Sequence, residues 1–161
     1  MDESLIAVVE IPGGSRNKYE IDKDSGEIFL DRTLFTATRY PADYGYFPNT
    51  LAEDGDPLDV LILLTEPTFP GCRVRVRPIG TFLMEDDGDP DHKVIAVPTA
   101  DPRWEGINDL NDLDPHLRDE IEHFFQVYKQ LEGTKTASLG WRTLGETWPI
   151  IEAARKAYPG D

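Results

Sequence analysis

The chain has 161 residues, 39% hydrophobic and 10% aromatic, with 31 acidic against 16 basic side chains and a formal net charge of −15. That length suits one domain with a real core, read here as residues 1–161, and the apolar content excludes a disordered chain. The charge disfavours nucleic acid and anionic membranes as partners, and it would repel a phosphate substrate unless metal ions and local basic groups reverse the sign within a site. A lone cysteine, Cys72, rules out an intrachain disulfide and fits a reducing cytoplasm. Met1 to Glu10 shows no basic region ahead of an apolar segment, so no signal peptide is expected, and no apolar run approaches the ~18 residues of a membrane span.

In chain order, Leu5 to Ile11 predicts a strand with Ala7, Val9 and Ile11 on one face and Glu10 on the other, ended by Pro12, Gly13 and Gly14. Lys18 to Asp22 predicts a second strand, with Lys18, Glu20 and Asp22 opposite Tyr19 and Ile21. Lys23 to Gly26 is a polar turn, and Ile28 to Arg32 returns as the hairpin partner. Arg32 shares a face with Ile28 and Leu30, so it needs an anion, either a carboxylate or a ligand phosphate. Residues 36–50 read as an irregular loop that carries Tyr40, Tyr44 and Tyr46 among Pro41, Gly45 and Pro48. Tyrosines in such a loop are usually packing, but they could also orient a ligand through their hydroxyls.

Asp54-Gly55-Asp56-Pro57-Leu58-Asp59 follows, with the apolar strand Val60 to Leu64 behind it. Carboxylates this close repel and raise one another's pKa unless a cation occupies them, and hard divalent cations take oxygen ligands. Taken alone, the stretch also reads as a solvated acidic turn. It is a poor EF-hand loop, because Leu58, Asp59 and Thr65 stand at the fifth, sixth and twelfth positions. Arg73, Arg75 and Arg77 alternate with Val74 and Val76, a strand whose basic face is expected to pair with the acidic surplus; Ile79 to Met84 continues the sheet. A second acidic group, Asp86, Asp87, Asp89 and Asp91, leads into Lys93 and the apolar strand Val94 to Val97. Both acidic groups thus stand where a loop meets an apolar strand, a rigid support for a metal site.

Residues 101–113 read as loop with a short helical turn. Asp114 is a good N-cap and Pro115 suits the first helical position, and Leu117, Ile121, Phe124, Tyr128 and Leu131 form one apolar stripe ended by Gly133. Tyr128 and Lys129 fall in its last turn. Glu146 to Ala157 predicts a second helix, with Pro149 in its first turn. His92, His116 and His123 show no zinc-ligand spacing, and Trp104, Trp141 and Trp148 read as packing.

The unusual positions form an acidic set, Glu20, Asp54, Asp56, Asp59, Asp86 and Asp91, and a basic and hydroxyl set, Lys18, Arg32, Tyr40, Tyr44, Lys93, Tyr128 and Lys129. Phosphoryl transfer to water needs both, cations for the phosphate oxygens and donors for the remaining charge.

EIPGGSRNKYEID (10–22), YPADYGY (40–46), DGDPLDVLIL (54–63), the Asp86–Asp91–Lys93 segment and HFFQVYKQLE (123–132) together resemble the family I soluble inorganic pyrophosphatases of bacteria, in the family's order. The resemblance runs from about Val8 to Trp141. It implies an α+β, mainly β fold: an OB-like five-stranded β-barrel with two main helices near the C-terminus, in a cytoplasmic homohexamer. It also implies hydrolysis of pyrophosphate to two orthophosphates with several Mg²⁺ ions per site, Mn²⁺ being a substitute. Carried over, Asp54, Asp59 and Asp91 would hold the tightest ion, Asp59 bridging to a second. Asp86 and Asp91 would hold one arriving with substrate, and Glu20 another through water. Asp56 would be the general base toward a metal-activated water. Lys18, Arg32, Tyr40, Tyr44, Lys93, Tyr128 and Lys129 would hold the two phosphates, with Arg32, Tyr128 and Lys129 on the departing one; Glu10 matches an acidic rim position. Asp86 is chosen over Asp87 and Asp89 on its five-residue separation from Asp91. Two other classes compete: a non-catalytic Ca²⁺-binding module, which leaves Lys18, Arg32, Lys93 and Lys129 without a purpose, and an oligonucleotide-binding barrel, which the net charge of −15 disfavours.

Overall fold

The computed structural model describes residues 5–160. Its strands are β1 (Leu5–Ile11), β2 (Asn17–Ile21), β3 (Ile28–Thr33), β4 (Asp43–Tyr46), β5 (Asp59–Ile62), β6 (Arg73–Asp86), β7 (Asp89–Pro90), β8 (Lys93–Pro98) and β9 (Thr136–Thr143); the helices are α1 (Pro115–Val127) and α2 (Leu144–Ala157). β1 pairs with both β4 and β6, and β4–β5–β8–β6 completes the circuit, so five strands close into a barrel. Closure leaves none of these five with two open edges, and only β5–β8 is parallel.

Both faces of β5 and β8 are buried, which is why each reads as a continuous apolar run rather than an alternation. Val60, Ile62, Val94 and Ala96 join Ile151 and Ala154 of α2 in one cluster. Leu61, Leu63, Ile95 and Val97 join Ile121, Phe124 and Phe125 of α1 in another. Gly45 is required for closure: a Cβ there would lie 1.8 Å from the Val8 carbonyl oxygen, so no other residue lets β1 and β4 approach as they do.

Three strands fall where none was expected, one of them the two-residue β7 within the second acidic group. β4 lies inside the 36–50 stretch read as loop; its four residues are all buried and are held by pairing on both sides. β9 pairs along the second half of β6, from Gly80–Thr143 to Asp86–Thr136. β6 runs unbroken through Pro78, whose missing N–H is absorbed by a register shift between Pro78 and Gly80. The basic face of β6 does not pair with acidic groups: Arg77 donates to the carbonyls of Ile107 and Trp104, each at 2.6 Å, and among the described residues Arg73 and Arg75 make no ion pair.

α1 starts as read, the Asp114 carboxylate accepting from the His116 N–H at 2.9 Å. It stops sooner, at Val127. A separate 3₁₀ turn, Gln130–Glu132, follows and is ended by Gly133 at φ +80°, so Leu131 leaves the stripe and is 72% exposed. α2 begins at Leu144, where the Thr143 N–H donates to the Glu146 carboxylate at 3.3 Å, and Pro149 is therefore its sixth residue rather than part of its first turn. The β2–β3 hairpin forms its own two-stranded sheet. Ile21 packs with Val8 and Tyr46, while Ile28, Phe29 and Leu30 stay exposed, so the apolar face expected beside Arg32 is not buried.

Candidate active site

The turn between β4 and β5 carries Asp54 and Asp56. Gly55 at φ +89° makes it possible, the Asp54 carboxylate accepts the Asp56 N–H at 3.0 Å, and the Ala52 N–H donates to the Asp56 carbonyl at 2.7 Å. Asp59 opens β5 and Lys93 opens β8, and the parallel register sets them side by side. Asp91 comes in just before β8, its N–H bonded to the Met84 carbonyl at 2.9 Å. As a result one carboxylate oxygen from each of Asp54, Asp59 and Asp91 lies within 4.8 Å of the others. An all-oxygen set of this spacing suits a hard divalent cation, so the residues fit the metal that the sequence calls for.

Lys93 is 2% exposed and its ammonium is the local counter-charge. It donates to Asp59 Oδ2 at 2.7 Å, Asp91 Oδ1 at 2.7 Å and Tyr44 Oη at 2.6 Å, and Tyr44 in turn donates to Asp59 Oδ2 at 2.9 Å. Burial alone would lower the lysine's pKa, but Asp59 and Asp91 outweigh it and the net shift is upward. Asp91 is raised by burial, with Lys93 opposing. Asp54 is exposed overall, yet partial loss of water at its carboxyl, helped by Asp59, Asp91 and Asp56, pushes its pKa up to about 6. Tyr40, Tyr44 and Tyr128 are all raised, first by burial, so their hydroxyls stay protonated donors.

The second acidic loop is a β6–β7 hairpin in which Asp87 (φ +52°) and Gly88 (φ +86°) take the two left-handed positions of a tight turn. That turn places Asp86 against Lys129, whose ammonium it accepts. Asp54, Asp56, Asp59, Asp86, Asp91, Glu20, Lys18, Tyr40, Tyr44, Lys93, Tyr128 and Lys129 all line one cavity of about 440 Å³. Asp87 and Asp89 line it too. Nine carboxylates face four lysines there, an imbalance that admits an anionic substrate only with added cations.

Arg32 is the exception among the residues singled out from the sequence. It does not line the cavity; Asp31 and Glu132 take its guanidinium, Glu132 at 2.9 Å, so its anions are carboxylates of this chain. Asp31 also lies 3.4 Å from Lys18. Sequence reasoning missed Lys23, which sits 4.3 Å over the Tyr46 ring and 2.9 Å from the Glu10 carboxylate at the cavity rim, because it reads as an ordinary turn lysine. It also missed Asp31 and Glu132, which carry no local signal. The Glu10 carboxylate accepts the Ile21 N–H at 2.9 Å as well, tying the hairpin to β1.

A family model described as inorganic pyrophosphatase matches residues 7–159. An inorganic pyrophosphatase of Leifsonia xyli is 54% identical over 91% of this chain and 90% of its own, and one of Halalkalibacterium halodurans is 58% identical over 96% and 94%. The crystal structure of inorganic pyrophosphatase from Thermus thermophilus superposes with a TM-score of 0.94 at 46% identity, covering 98% of this chain and 92% of that one. Sequence match over nearly its whole length and a shared barrel agree, and the chain belongs to the inorganic pyrophosphatase family.

Proposed function

We propose that the protein, as a single domain over residues 1–161, hydrolyses inorganic pyrophosphate to two orthophosphates with Mg²⁺ as its metal and Mn²⁺ as a substitute. The observation that carries this reading is the meeting of one carboxylate oxygen from each of Asp54, Asp59 and Asp91 within 4.8 Å in the lining of a cavity that also presents lysines and tyrosines. Bound divalent ions would polarise the phosphate oxygens and lower the pKa of the attacking water. Asp54, Asp59 and Asp91 would hold the first ion, Asp59 reaching a second, Asp86 with Asp91 a further one, and Glu20 another through water.

Asp56 stands on the turn between Asp54 and Asp59 and would take the proton from the attacking water as the P–O–P bond breaks. Lys18, Lys93, Tyr40 and Tyr44 would hold the substrate, and Arg32, Tyr128 and Lys129 would balance the charge on the departing phosphate. The tyrosines suit that task because burial keeps them protonated. The Lys93 ammonium and the Asp59 and Asp91 carboxylates hold one another in place, so cation site and phosphate site share a wall. A homohexamer in the cytoplasm completes the reading by family likeness; the exposed Ile28, Phe29, Leu30 and Phe35 offer apolar surface for subunit contact. No helix of the described residues is long and apolar enough to cross a membrane.

Release of phosphate from pyrophosphate, measured with Mg²⁺, with Ca²⁺ and with EDTA, tests this. Turnover is expected with Mg²⁺ and suppressed by Ca²⁺, which is larger and demands more ligands. Asp56→Asn should lose roughly 10²–10⁴-fold in rate while folding normally. Pyrophosphate left intact by the wild-type protein with Mg²⁺ overturns the assignment, and tight Ca²⁺ binding without turnover would instead favour the calcium module.

A further inference from the structure

Arg32 and Glu132 meet across a hundred residues of sequence. Arg32 belongs to the β2–β3 hairpin, which makes no backbone pairing with the barrel. Glu132 ends the 3₁₀ turn that follows Tyr128 and Lys129, and its N–H donates to the Lys129 carbonyl at 3.0 Å. Their side chains meet at 2.9 Å, the Arg32 and Glu132 side chains being only 24% and 13% exposed. The contact is a single bond rather than a two-bond fork: Arg32 Nε and Glu132 Oε2 are both buried and have no hydrogen-bond partner. A carboxylate shielded this far from water is set opposite one guanidinium nitrogen, Nη2, while Asp31 takes Nη1 and Nε is left without a partner.

We propose that Glu132 is a positioning residue for the pyrophosphatase reaction, holding the Arg32 guanidinium, and with it the hairpin, in register with the turn that bears Tyr128 and Lys129. This rests on the reading above that Arg32 acts on the departing phosphate. Glu132 touches no substrate. It fixes where the Nε edge of Arg32 lies, and it joins the two elements whose cations would share the leaving group. Small displacements of such a group cost rate far more than they cost stability. Asp31, 35% exposed at its side chain and shared with Lys18, is the weaker constraint on the same guanidinium.

The test is a double-mutant cycle on the full-length protein with Mg²⁺: Glu132→Gln, Arg32→Lys and both together, reading kcat and KM for pyrophosphate and the melting temperature. Glu132→Gln should lower kcat about tenfold or more with KM changed less than about threefold, and adding it to Arg32→Lys should cost less than about twofold further. Glu132→Asp, which keeps the charge, should recover part of the loss and stands in for Glu132→Gln if that variant melts more than about 10 °C lower. Full kcat in Glu132→Gln, or effects that multiply in the double variant, overturns the positioning role. If Arg32→Lys alone retains full kcat, the role given to Arg32 fails first and the inference falls with it.

Discussion

Lys93→Met removes the one cation buried among the site carboxylates. Three hydrogen bonds of 2.6–2.7 Å go with it, to Asp59, Asp91 and Tyr44. Methionine keeps the apolar stem, so the loss is that of the charge. Removing one partner of a buried ion pair costs about 3–5 kcal/mol. The Asp59 and Asp91 side chains retain 22% and 14% exposure, so water can partly solvate the freed carboxylates, and the lower end, about 3 kcal/mol, applies. For a chain of this size that is a fall of about 6–12 °C in melting temperature. The fall is expected in EDTA. With millimolar Mg²⁺ it should shrink by more than half, because the same carboxylates gain another counter-charge when metal binds. Thermal unfolding of both proteins, with EDTA and with Mg²⁺, reads the difference directly. A fall under about 3 °C in EDTA, or one that Mg²⁺ leaves unchanged, would refute the view that Lys93 and a divalent ion neutralise one shared set of carboxylates.

Asp54 titrates near pH 6 in the metal-free fold against an unfolded value of 3.8, so the folded state binds the extra proton and metal-free stability declines as pH rises from about 4 to about 6. Divalent binding must expel that proton: affinity measured calorimetrically should weaken as pH falls through about 6, with proton release seen in buffers of different ionisation enthalpy, and a flat profile between pH 5 and pH 8 would refute the coupling. Gly45→Ala would press a Cβ to 1.8 Å from the Val8 carbonyl oxygen and force β1 from β4, at a cost above about 3 kcal/mol; an unchanged urea midpoint would refute the close approach.

The acidic cluster that lines the cavity was legible because its signals are local. DGDPLD packs three carboxylates around a left-handed glycine, and the Asp86 to Asp91 loop repeats the theme ahead of an apolar strand; charge repulsion makes such clusters conspicuous without any knowledge of the fold. Strands β1, β5 and β8 and the α1 start were equally visible, from apolar runs and from the Asp114-Pro115 cap. β4 and β9 were not. DYGY alternates over only four residues inside a stretch punctuated by Pro41, Gly45 and Pro48, and in TASLGWRT the alternating Ala137 and Leu139 are exposed rather than buried, so neither pattern marks a core face; they are strands because neighbours in the sheet supply hydrogen bonds.

Composition and spacing by themselves determined which side chains could bind metal and phosphate, since that depends on chemical type and short-range order along the chain. Only the tertiary structure decided which of them face one another. The parallel β5–β8 register set Lys93 beside Asp59, and a contact spanning a hundred residues of sequence joined Arg32 to Glu132. Electrostatic pairing depends on distance through space and on exclusion of water, and both are properties of the closed barrel and its hairpin, not of any single segment.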